Sequence, residues 1–160
     1  ELVEYGAILH DIGWHIGGKG HHKHSMYLIV HGGLKGFTPE EVEIIANIAR
    51  YHRKSPPKGK HLEYQGLSAR AKKVVDVGAG ILRLADGMDR SHAGVIQDVK
   101  CNAAGEGDVV CTLTTRSDAA LELWAAQRKD DLFKKAFGRG IACKRTRRCR
   151  MMDGPTQPHG

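Results

Sequence analysis

Apolar residues in the front part of the chain recur mainly at steps of three and four, the period of helices buried along one stripe. Leu2, Val3, Tyr5, Ala7, Ile8 and Leu9 cover much of the circumference of a helix over Leu2–Asp11, which predicts a buried element closed by Gly13 and Gly17-Gly18-Lys19-Gly20. A second helix is expected over His21–Val30, carrying Met26, Leu28, Ile29 and Val30 and stopped by Gly32-Gly33. Thr38-Pro39-Glu40-Glu41 is a strong helix start: Thr38 caps, Pro39 opens the first turn and Glu41 completes a capping box. The third helix continues through Val42, Ile44, Ile45, Ile48 and Ala49 to Arg50–Lys54, where Pro56-Pro57 ends it. Lys58–Gly66 reads as a polar loop. Ser68 then caps a fourth helix over Ala69–Met88, in which Gly78 and Gly80 each cost about 1 kcal/mol of propensity and so mark close helix packing.

The period changes at Gly94. Val95–Asn102 and Val109–Thr115 read as strands joined by a glycine-rich turn, and Ser117 starts a fifth helix. Its Leu121, Trp124, Ala125, Phe133, Ala136 and Phe137 share one side, Gly138 and Gly140 stop it, and Ile141-Ala142-Cys143 adds a last strand. The expected fold class is therefore α+β: an all-α helical bundle over residues 1–93, then a small β-β-α-β unit over 94–145. A basic flexible tail is expected over 146–160.

Composition narrows the function. With 160 residues, 41% of them hydrophobic, the chain can build one good core, and it has no apolar run near the roughly 20 residues a membrane helix needs. Its start, Glu1-Leu2-Val3-Glu4, is acidic, has no signal-peptide character and lies inside an element, which reads as a fragment of a longer, cytoplasmic protein. Cys101, Cys111, Cys143 and Cys149 show no CxxC spacing. Cys101 and Cys111 face each other if the strands form a hairpin, but reduced, partly buried thiols are the favoured expectation. A formal charge of +7 suits polyanions in general. Nucleic acid is disfavoured, because only 6% of residues are aromatic and no helix presents a basic face with base-reading residues.

Candidate chemistry concentrates in Ile8–Ser25, where five histidines, Asp11 and two lysines sit among glycines. Imidazole and carboxylate together are the donor set of borderline divalent metals. Polar groups recur at the ends of apolar helices: His10-Asp11, His24, His52 beside Arg50 and Arg53, and Asp86. Such groups are costly to bury unless paired or bound to a cation, so an antiparallel bundle can gather them in one pocket. His21 or His22 alone reads as a surface histidine, and Asp89-Arg90 as a local ion pair.

The stretches LHDIGWHI, GHHKHSMYLI, LKGFTPEEVEIIANIARYHRKSPP and LRLADGMDRSH together resemble the HD superfamily of metal-dependent phosphohydrolases. More closely, they resemble the C-terminal portion of the exopolyphosphatase / guanosine pentaphosphate phosphatase (Ppx/GppA) family. That resemblance implies an HD-like bundle accessory to Mg²⁺-dependent actin-like lobes, none of whose motifs is visible here. The bundle would extend a channel for inorganic polyphosphate or guanosine pentaphosphate and support a homodimer. His22, Lys23, His24, Arg50, His52, Arg53 and Lys54 are the residues expected along that channel, with no catalytic residue assigned. The intact doublet keeps a second expectation open: His10, Asp11, His24, His52 and Asp86 as ligands of Mg²⁺ or Mn²⁺ in a self-sufficient phosphohydrolase.

Overall fold

A computed structural model describes residues 1–103, 105 and 107–147. Helices come first: α1 (Leu2–Leu9), a short 3-10 turn (Ile12–His15), α2 (His21–His31), α3 (Pro39–Arg50), α4 (Leu62–Gln65) and α5 (Ala69–Met88). Then follow β1 (Ile96–Asn102), β2 (Val109–Thr115), α6 (Ala120–Gln127), α7 (Asp131–Phe137) and β3 (Ile141–Arg147). The fold is α+β, a helical bundle followed by a small three-stranded sheet of order β1-β2-β3. The hairpin β1–β2 is antiparallel, and β3 returns parallel to β2 after the crossover through α6 and α7. Among the described residues no helix is long and apolar enough to cross a membrane.

The central helices form for the reasons visible in their sequence. Thr38 Oγ1 accepts the Glu41 amide while the Glu41 carboxylate takes the Thr38 amide, so the capping box is complete with Pro39 in the first turn. Ser68 likewise caps α5 through the Ala71 amide. One face of α3 (Ile44, Ile48, Tyr51) packs on α5 (Ala71, Val75, Ala79, Leu82) to form the main core, and Leu132 of α7 joins it. The other face of α3 (Ile45, Ala46, Ala49) packs on Met26 and Ile29 of α2. Gly78 and Gly80 leave α5 unbroken: a Cβ at Gly78 would meet the Ile48 side chain, and one at Gly80 the Phe133 backbone. These glycines serve close packing, as their cost implied.

Four local expectations are corrected. The loop before α5 holds a single helical turn, α4, whose Tyr64 hydroxyl donates to Asp76. The fifth helix is two: the chain breaks between Gln127 and Asp131, and each half packs on its own glycine of α5, Ala126 on Gly87 and Phe133 on Gly80. Asp89 pairs with His92 rather than Arg90. Cys101 and Cys111 are disulfide-bonded, because the β1–β2 register sets them directly opposite each other, while Cys143 is free among the described residues. Of the expected tail, Thr146 and Arg147 continue β3, and the rest, with Cys149, lies outside the described residues.

Candidate functional site

The end of α1 and the turn after it are fixed to α2 by one buried hydroxyl. Ser25 Oγ donates to the His10 carbonyl and accepts the Gly13 amide at 3.0 Å. Gly13 is required there, since a Cβ would run into the His21 carbonyl and the Ser25 amide. The chain therefore presents His10 and Asp11 toward the first turn of α2 and the last of α3.

Three imidazoles surround Asp11, and they share a construction. His10 Nδ1 lies 2.6 Å from the Ala7 carbonyl, His52 Nδ1 2.6 Å from the Ala49 carbonyl, and His21 Nδ1 3.2 Å from the Gly18 carbonyl. A carbonyl oxygen only accepts, so each Nδ1 carries a proton, and in a neutral ring, the form His52 takes, Nε2 is left with a lone pair. Those Nε2 atoms converge on the carboxylate: His21 at 3.1 Å and His52 at 3.7 Å from Asp11 Oδ1, and His10 at 3.4 Å from Oδ2. His21 and His52 Nε2 are 3.4 Å apart. Asp11 Oδ1 is buried and has no hydrogen-bond partner among the described residues. Lone pairs facing a carboxylate repel unless a cation lies among them; the Arg53 guanidinium supplies one at His21, and backbone-anchored imidazoles such as His10 and His52 are how proteins orient metal ligands. The donor set thus fits a divalent ion, and ligand atoms of His10, Asp11 and His52 all lie within 4.8 Å of one another. Burial, partly offset by the Ala49 carbonyl, holds His52 down at about 4, so it is neutral at physiological pH, as a ligand must be.

A cavity of about 580 Å³ opens onto Asp11 and His21. Arg53 and Lys54 come to it from the end of α3, Arg83 and Arg90 from α5 and its exit, and Arg128 and Lys129 from the break between α6 and α7. Against these cations stand the Asp11 and Asp86 carboxylates. Arg53 Nη1 is 3.1 Å from His21 Nε2. Arg83 is buried; it donates to the Lys54 carbonyl at 2.9 Å and pairs with Asp131 at 3.1 Å, joining α3, α5 and α7 behind the cavity. Trp14, stacked on His21 at 4.6 Å, and Trp124, under the Arg128 guanidinium at 5.1 Å, line the cavity while each stays 55% exposed.

The expected site residues divide accordingly. His10, Asp11 and His52 come together, and Asp86 lines the same cavity, ion-paired with Lys129. Burial alone would raise the Asp86 carboxyl, but the Lys129 ammonium, with His52 and His10, holds it below the usual carboxylate value. His24 is not among the groups that meet at Asp11; it packs beside the Gly13–Gly17 turn with a buried Nδ1 that lacks a partner among the described residues. Arg53 and Lys54 line the cavity, whereas Lys23 and Arg50 line a separate groove with Tyr27 and Glu63. His22 is buried, its imidazole held at about 4 by burial and by Arg50, His52 and Arg53.

His21, taken for a surface residue, is 2% exposed and faces Asp11. A signal for it exists: the buried positions of α2 are His21, His22, Ser25, Met26 and Ile29, one helical stripe that leaves His24 at its edge. Arg83, Arg90, Arg128, Lys129 and the two tryptophans carry no comparable local signal.

Residues 1–128 match the sequence model of the Ppx/GppA phosphatase family's domain III. The matched span runs from the helix before the His-Asp doublet to Arg128 at the far wall of the cavity, so the whole His-Asp cluster and most of its cationic rim lie within it. The chain belongs to the Ppx/GppA phosphatase family, through that family's domain III.

Proposed function

We propose that this chain is the anion-holding domain of a phosphoanhydride hydrolase, binding inorganic polyphosphate or guanosine pentaphosphate in the cavity beside Asp11. The observation that carries the reading is the joining of an imidazole–carboxylate cluster to a cavity lined by Arg53, Lys54, Arg83, Arg90, Arg128 and Lys129. Guanidinium groups bind phosphoryl oxygens through paired hydrogen bonds, and the partly enclosed cavity strengthens them. His10, Asp11, His21 and His52 would hold one Mg²⁺ or Mn²⁺. Bound there, a divalent ion supplies charge neutralisation and Lewis-acid polarisation of a phosphoryl oxygen. The ligand's negative charge is met by Arg53, beside His21, and by Arg128, which approach from different elements.

Titration with tripolyphosphate tests this. Binding should weaken with salt, and should fall at least tenfold in Arg53→Ala and in Arg128→Ala; equal affinity in all three proteins would refute the assignment. The reading further includes a homodimer, supported by the large exposed apolar side chains Ile8, Tyr27 and Leu62 and checked by sedimentation equilibrium.

A second reading, a self-sufficient phosphohydrolase of the HD type, is favoured by one observation, the convergence of three imidazole Nε2 atoms on the Asp11 carboxylate. The two readings separate on one assay. Phosphate release with Mg²⁺ or Mn²⁺ that disappears in Asp11→Ala establishes hydrolysis within this chain, and binding without release establishes the first reading.

A further inference from the structure

Three of the cysteines fall on one line across the sheet. The register pairs Cys101 with Cys111 across β1–β2, and Cys111 with Cys143 across β2–β3. Directly paired residues of adjacent strands project from the same face. The three side chains therefore stand in the order 101, 111, 143, with the disulfide between the first two and a free thiol beside its buried end. Their surroundings differ along the row: Cys101 is exposed, Cys111 is fully buried and Cys143 is half-buried. Thiol–disulfide exchange is a displacement at sulfur, in which the incoming thiolate approaches opposite the leaving sulfur. In this row the residue on the far side of Cys111 from Cys101 is Cys143.

We propose that the sheet is a thiol–disulfide exchange site in which Cys143 displaces Cys101 from Cys111. The Cys143 thiol gives its proton to solvent and its thiolate donates an electron pair to Cys111 Sγ. The Cys111–Cys143 bond forms, the Cys101–Cys111 bond breaks, and Cys101 leaves as a thiolate that takes a proton from solvent. No oxidant or reductant is consumed. The exchange leaves the free thiol on the exposed Cys101, where small thiols and disulfides of the solvent reach it. It also replaces a bridge of sequence separation 10 by one whose ring encloses α6 and α7. Those helices flank Arg128 and Lys129, so the exchange tethers one wall of the cavity, whatever ligand the cavity takes.

Disulfide mapping of the full chain tests the proposal. In Cys149→Ser protein oxidised with glutathione disulfide, incubated at mildly alkaline pH and then quenched with acid and alkylated, trypsin cuts after Lys100, Arg116, Arg139 and Lys144. The bond present in the structure lies within peptide 101–116, whereas the exchanged bond links it to peptide 140–144. The expected result is a linked pair that grows with time, matched by alkylation of Cys101, both absent in the Cys149→Ser/Cys143→Ser protein. An unlinked peptide 101–116 at all times overturns the proposal, as does Cys101 alkylation undiminished by Cys143→Ser. Full alkylation of all three cysteines after oxidation does so too.

Discussion

Asp11 holds a carboxylate oxygen against the Nε2 atoms of imidazoles whose Nδ1 protons are committed to backbone carbonyls. Asp11→Asn distinguishes a metal role from a structural one, because an amide nitrogen donates to Nε2 where a carboxylate cannot. With chelator present, the Asn variant should be more stable than wild type by about 1 kcal/mol, the net value of one hydrogen bond, and should lose its affinity for Mn²⁺. Urea denaturation and equilibrium dialysis read the two effects; a destabilised variant that still binds Mn²⁺ contradicts the account. The buried His22 and His52 give a pH signature of known sign. Their folded values, about 4, lie below the unfolded value near 6.5, so between these limits the unfolded chain binds more protons. Stability of the metal-free protein should be at its plateau above about pH 6.5 and decline as pH falls toward about 4. A urea midpoint that is unchanged or rises across that window contradicts the buried, neutral assignment. His21 shows what local sequence conveys. Its place in the stripe with Ser25 and Ile29 was legible, but one histidine among five offers no sign of which carboxylate it meets.

The elements themselves were legible where apolar spacing and capping agree, as in α3 and α5. The break between α6 and α7 was not, because Ala126 and Phe133 lie seven residues apart and share a face in a straight helix as readily as in two halves. Gly80 and Gly87 of α5 are also seven apart and receive Phe133 and Ala126 in antiparallel order, which is the pattern a paired reading of both helices would find. Gly87→Val tests that close approach. It should destabilise by about 1–3 kcal/mol through overpacking against Ala126, and it should displace the cavity wall and weaken anion binding. Thr38→Ala, at the far end of α3, should cost about 1 kcal/mol by loss of the cap with anion affinity unchanged. Comparing the two variants by denaturation and tripolyphosphate titration separates loss of stability from loss of the cavity.

At the scale of the molecule, the helical part and the crossover after the hairpin build one cavity between them. Arg53 and Arg128 stand 75 positions apart in sequence (128 − 53), so their meeting is a tertiary fact that neither charge nor motif conveys. The His-Asp doublet, His52 and the helical frame were readable because each depends on local chemistry. Of the basic rim, Arg53 and Lys54 were expected beside His52, whereas Arg83, Arg90, Arg128 and Lys129 were not, because each in isolation looks like an ordinary solvated side chain. The same arrangement supplies an internal probe, since both of the chain's tryptophans, Trp14 and Trp124, line the cavity. The most direct measurement is therefore intrinsic tryptophan fluorescence during titration with tripolyphosphate, with and without Mn²⁺. The account predicts a saturable, salt-sensitive change that tightens when Mn²⁺ is present and is lost in an Arg53→Ala/Arg128→Ala protein that retains its fold. Fluorescence that stays constant while the wild-type protein binds the anion would place the ligand elsewhere and contradict the account.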